Sequence, residues 1–136
     1  MKLIIFVTLA ICLVSLSCLG QARPVNFTFT WTATGDDSLL GQASKYDLKY
    51  STTTLTNENW TSAISIPESL TKLPKPCGQA ETLFVTLHLI QGYTYYFAIK
   101  AGDDGVPINW SDISNVVDRF INDIIPPAMI VNFQWK

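Results

Sequence analysis

Histidine, cysteine and net charge are all scarce in this chain, and each scarcity removes a class of function. His88 is the one histidine in 136 residues. A zinc helix of the His-Glu-x-x-His type needs two histidines on one face, so that chemistry is excluded. A Ser-His-Asp or Cys-His nucleophile would depend on His88 alone. It stands between Leu87 and Leu89 with no motif around it, which reads as a structural or solvent-facing residue. Of the three cysteines, Cys12 and Cys18 fall in the opening apolar stretch, and Cys77 is left alone. Cys77 reads either as a partly buried free thiol or as one end of an intermolecular disulfide. Charged residues make up 15% of the chain and the net charge is −2, with no basic run, which excludes nucleic acid as the ligand. No window holds a helical apolar period, no segment repeats, and no Arg-Gly-Asp triplet occurs. Nothing points to a cofactor.

The longest hydrophobic run opens the chain. Lys2 is followed by the uncharged stretch Leu3–Leu19, with small residues at Ser17 and Gly20. A basic start, an apolar middle and a small-residue exit read as a secretory signal peptide over residues 1–20. The rival reading is a membrane anchor over residues 3–19, since about 17 apolar residues is the lower limit for crossing a bilayer. Loss of residues 1–20 removes Lys2 and no acid, and leaves a net charge of −3. The roughly 116 residues that remain suffice for one domain with a real core. Three N-glycosylation sequons lie among them, at Asn26, Asn59 and Asn109.

What remains is rich in alternation. Val25, Phe27, Phe29 and Trp31 alternate with Asn26, Thr28, Thr30 and Thr32, the period of a strand with one buried face. Tyr46, Leu48 and Tyr50 alternate with Lys45, Asp47 and Lys49. Trp60–Ile66 reads as a short edge strand. Pro67, Pro74 and Pro76 keep the next stretch out of a central sheet position. Leu83, Val85 and Leu87 share one side of Thr82–Leu87. In Leu89–Ala101, Tyr95, Phe97, Ile99 and Ala101 fall on one face, and Gly92 supplies a turn before them. The spacing from Leu89 to Tyr95 fits a corner whose tyrosine is buried, with its hydroxyl bonded back to the backbone. Trp110–Val117 reads as the last strand. Short strands divided by turn residues predict an all-β, antiparallel β-sandwich.

The ordered set of Trp31-Thr32-Ala33, Gly35-Asp36-Asp37, Gly41-Gln42-Ala43-Ser44, Tyr46–Ser51, the Leu89–Ala101 corner, Asn109-Trp110-Ser111 and Ser114-Asn115 resembles a fibronectin type III domain over Val25–Val117. The stretch after Trp31 also resembles the C-terminal module of calcium-activated chloride channel regulators and similar modules of secreted proteins. The resemblance implies an immunoglobulin-like sandwich with Trp31 and Tyr95 in the core, joined by Tyr46, Tyr50, Phe97 and Trp110. No Cys…Trp…Cys arrangement is present, unlike a disulfide-bonded immunoglobulin domain. Gln91 stands where the family commonly has proline. In such a fold the loops holding Asp36 and Asp37, and Asp103 and Asp104, share one pole. Four carboxylates there are weak calcium candidates through oxygen ligands, or ordinary solvated turn residues.

The family's first strand is missing here, since only Gln21–Pro24 separate the leader from the Trp31 strand. The tail, residues 118–136, offers a replacement. Ile124–Phe133 resembles the opening of a fibronectin type III module, so Met129–Trp135 is expected either to supply that strand, to its own sandwich or to a neighbour's, or to be the truncated start of a second module. A bare edge invites pairing with another chain. Phe133 and Trp135 read as strand residues or as an exposed sticky surface. The expected function is a secreted, non-enzymatic protein-binding or adhesion module. Its partner would be an extracellular protein or matrix component, with homodimers through the tail strand or Cys77 in view. The alternatives are a fragment or short relative of a channel regulator, and an accessory carbohydrate-binding or spacer module of a secreted hydrolase.

Overall fold

A computed structural model of the chain describes residues 21–68, 72–131 and 134–135. The leader or anchor read at residues 1–20 lies outside them, as do Asn132 and Phe133 of the tail. The described residues form six strands: β1 (Ala22–Thr32), β2 (Lys45–Ser51), β3 (Ile64–Ser65), β4 (Ala80–Ile90), β5 (Thr94–Gly102) and β6 (Val117–Phe120). They make two antiparallel sheets, β1-β4 and β3-β2-β5-β6.

Period-two alternation explains why the sheets face each other. On β4, Leu83, Val85, Leu87 and Leu89 are buried while Phe84, Thr86 and His88 are exposed. Phe27 from β1, Leu48 from β2 and Tyr95 and Phe97 from β5 meet them, and Ile66 and Ile121 close the same core. Phe97 is 2% exposed and lies 4.9 Å from the Phe27 ring and 5.1 Å from the Phe29 ring. One side chain therefore joins both sheets. The expected turn forms between β4 and β5, where Gly92 has φ +83°, a geometry that a Cβ resists. Tyr95 is buried, its hydroxyl accepts from Ile90 N at 3.0 Å, and it lies 3.2 Å from the Ile90 carbonyl, to which it donates.

Other expectations are corrected. Trp110 is not in the core; it is 42% exposed. It lies on the loop between β5 and β6, where Gly102 has no side chain to hold it off, and Lys45 Nζ approaches its ring at 5.7 Å. The last strand is not Trp110–Val117 but β6, which begins at Val117. Before it, the hydroxyls of Ser111 and Ser114 accept from Ala101 N and Ile99 N, so side chains stand in for a strand's carbonyls. Asp118–Phe120 thus belongs to the sheet rather than to the tail. Trp60 opens a short 3-10 turn, Trp60–Ser62, instead of a strand, and only Ile64–Ser65 pairs with β2.

Trp31 and Tyr50 pack against the core but are only partly buried. Trp31 lines an open cleft beside Phe29 and Val117. Trp60, by contrast, is 7% exposed and forms a second cluster with Leu55 and Ala98 on the outer face of the larger sheet.

Candidate functional site

The flank between β1 and β6 stands open. β1 is eleven residues long, about 36 Å of strand, and among the described residues it pairs with β4 alone. An antiparallel ladder uses alternate residues on each side. Arg119 Nη1 donates to Asn26 O at 3.3 Å from the β6 side, so the groups turned away from β4 are those of Asn26, Thr28 and Thr30. Arg119 also lies 5.2 Å from the Phe27 ring centre. It is a single side chain bridging two sheets where no strand does.

Two clefts open on either side of this bridge. The smaller, about 90 Å³, reaches the core side chains Leu48 and Phe97 between Phe29, Trp31 and Val117. The larger, about 390 Å³, lies by Arg23, Val25, Gln91, Ile121 and Ile124. Buried polar atoms accompany them. Gln91 Oε1 has no hydrogen-bond partner. The Trp31 indole N–H is directed at the Tyr46 hydroxyl with the rings edge-on at 5.1 Å, yet neither atom reaches hydrogen-bond geometry. Burial pushes the Tyr46 hydroxyl above its ordinary pKa, opposed by that indole N–H. Burial also raises Tyr50, with the Tyr95 hydroxyl adding to it.

The tail leaves the fold beside this flank. Ile121 is pinned by Gly92 N donating to its carbonyl and by its own N–H bonding Tyr93 O. Beyond it the described tail residues form no strand, and Met129, Ile130, Val131 and Trp135 are 75–94% exposed. Of the expected strand Met129–Trp135, the described residues Met129–Val131, Gln134 and Trp135 are not paired with β1.

The opposite pole is polar. Asp36 and Asp104 do meet, since Asp104 N donates to Asp36 Oδ1 at 3.2 Å. Asp103 instead turns into its own loop, accepting from Gly105 N, Asn109 N and Asn109 Nδ2. The two Asn109 bonds hold its carboxyl below the usual range. Among the described residues no three His, Cys, Asp or Glu side chains gather as metal ligands, so the four aspartates are not brought into one site. Trp110 and Asn109 line a cleft of about 330 Å³ at this pole.

The three sequons differ in how free their amides are. Asn26 is exposed, and its Oδ1 accepts from Thr86 Oγ1. Asn59 is partly buried, with Nδ2 donating to Thr54 O and Oδ1 accepting from Thr56 N. Asn109 Nδ2 is held by Asp103 at 2.6 Å. Cys77 is a partly buried free thiol in the turn before β4. His88 lies near the far end of that strand, about 26 Å along it, which rules out a Cys77–His88 nucleophile pair. Among the described residues no helix is long and apolar enough to cross a membrane.

The features that mark the unpaired side of β1 carry no sequence signal. Arg119 and Gln91 carry no motif; their roles come from contacts across the two sheets. Comparisons with protein-family models, with curated proteins and with solved structures found no match to this chain.

Proposed function

We propose that the chain is a secreted, non-enzymatic, fibronectin type III-like module that binds protein by accepting an extended strand along β1. The observation that carries this reading is the unpaired β1 edge over clefts that reach the core. Backbone groups of an incoming strand would complete the ladder, and its alternate side chains would fill the clefts. The kinship itself is supported by the strand order β3-β2-β5-β6 facing β1-β4, and by Tyr95 bonding Ile90 at the corner. Secretion rests on the leader-like residues 1–20 and the sequons that follow. The short channel-regulator relative remains the same module in another setting.

The test is a binding array of extracellular matrix and cell-surface proteins that includes the chain itself, probed with the native chain and with Thr28→Pro. Proline at 28 removes an outward N–H while leaving the alternate residues that pair with β4. Binding that Thr28→Pro abolishes, with an unchanged circular dichroism spectrum, is expected. Binding that survives Thr28→Pro places the site elsewhere, and turnover of a peptide or glycan substrate by the purified chain overturns the non-enzymatic reading.

The carbohydrate-binding alternative has one observation in its favour, the cleft around Trp110 and Asn109. Against it, Trp110 is not a free stacking platform, since its ring lies against Gly102 and Lys45.

A further inference from the structure

We propose that the strand accepted by β1 is the tail of a second copy of this chain, Met129–Trp135, docked antiparallel in a reciprocal exchange. The inference rests on the strand-acceptor reading above and names the partner.

The tail has the pattern of a half-buried strand. Met129, Val131, Phe133 and Trp135 alternate with Ile130, Asn132 and Gln134, the same period as Val25–Thr32 of β1. Seven residues make about 23 Å of strand, enough to run past the open groups of Thr28 and Thr30 and, once Arg119 is displaced, of Asn26. Among the described residues neither surface is covered. Met129 and Val131 are each 82% exposed, and the clefts beside β1 are open.

Chain length decides between the molecule's own edge and a partner's. The tail departs where β1 begins, because Ile124 lines the same cleft as Arg23 and Val25. Antiparallel pairing within one molecule would require Met129 to reach the Thr32 end of β1, about 23–30 Å away. The five residue steps from Ile124 to Met129 span at most ~18 Å. Parallel pairing within one molecule would require the chain to double back at once, and Pro126-Pro127 opposes that. Each proline fixes its own φ and pushes the residue before it toward extended backbone. A short, stiff hinge that carries an apolar strand away from its own domain is the arrangement that favours exchange between identical chains. Two-fold symmetry then gives each copy one donated strand and one filled edge.

The experiment is the solution mass of the full chain by light scattering, under reducing conditions that remove any Cys77 bridge. A mass twice that of the monomer is expected. Val131→Asp, placed on an exposed tail residue whose change leaves the folded core intact, is expected to give monomers. Thr28→Pro is expected to do the same from the acceptor side. Mixed together, Val131→Asp supplies a good edge and Thr28→Pro a good tail, so a one-to-one heterodimer is expected to return. A dimer unchanged by Val131→Asp overturns the proposal. A monomeric native chain overturns it too, and the melting temperature then separates two cases. A drop in Val131→Asp shows the tail docked on its own β1, with the acceptor reading intact. No change leaves that reading to the Thr28→Pro binding assay alone.

Discussion

The two sheets of this sandwich are built from similar alternating strands but are covered to very different extents. The β3-β2-β5-β6 sheet is packed on both faces. Its inner face meets the core through Leu48, Tyr95 and Phe97, and its outer face carries the Leu55, Trp60 and Ala98 cluster. Among the described residues the β1-β4 sheet has two strands, an inner face in the core, an outer face in solvent and an unpaired edge on each strand. An isolated pair of strands is marginal in water, so β1-β4 owes its stability to the face it shares with the larger sheet. The better-covered sheet is therefore the scaffold, and the thinner one is the surface left available for a partner.

The largest effect is expected where the two sheets meet. Phe97→Ala removes the ring that touches Phe27, Phe29 and Tyr50. A loss of about 3–5 kcal/mol is expected, read as the shift in urea midpoint. A loss below about 1 kcal/mol would mean that the sheets hold together without this contact, and would break the comparison at its root.

The next pair of substitutions asks whether outer faces differ as described. Trp60 is buried, donates Nε1 to Asp47 at 3.0 Å, and has Lys49 and Lys100 each 5.3 Å from its ring centre. Phe84 occupies the outer face of β4 and is 72% exposed. Trp60→Ala is expected to cost about 3 kcal/mol, and Phe84→Ala to stay within about 0.5 kcal/mol of the native chain. Equal effects in thermal melts would show that the β1-β4 face is covered in solution.

This contrast also marks how far the sequence could be read. The alternation in Val25–Thr32 and in Tyr95–Ala101 predicts strands with the correct faces inward, because period two is a local property. The tyrosine corner is legible for the same reason, since Gly92 and Tyr95 are three residues apart. The exchange of roles between Trp60 and Trp110 is not legible. Trp60 is buried because the loop after β2 folds over the outside of that sheet. Trp110 is exposed because it meets the sheet at the last residue of β5, Gly102. Both facts depend on segments remote in sequence. Arg119 as the bridge to β1 appears only when β6 is set beside β1.

A smaller effect tests the junction between the sheets. Tyr95→Phe keeps the ring and removes the hydroxyl that accepts from Ile90 N. That N–H would be left partly buried without its acceptor, and a cost of about 1–3 kcal/mol is expected in urea unfolding. No change would show that the turn between β4 and β5 is held by Gly92 and packing alone.

The smallest effect belongs to the polar pole, remote from both faces. Asn109 holds the Asp103 carboxyl below the usual range, first through its side chain and then through its backbone N–H, with Gly105 N adding a third bond. A depressed folded pKa adds stability that is present above the ordinary aspartate range and is lost as pH falls through the folded value. The carboxyl resonance of Asp103, followed by NMR as pH is lowered, is expected to titrate later than that of a free aspartate. Asn109→Ala removes the side-chain bond but keeps both backbone donors, so it should move the midpoint partway back. A midpoint unmoved by Asn109→Ala would assign the shift to the backbone, and the loop between β5 and β6 would then be self-supporting whatever residue 109 carries. The outcome also bears on the sequon, because the Nδ2 that a glycan would occupy is the atom that bonds Asp103. A loop that needs the bond disfavours modification there, which leaves the exposed Asn26 on the thin sheet as the freer acceptor.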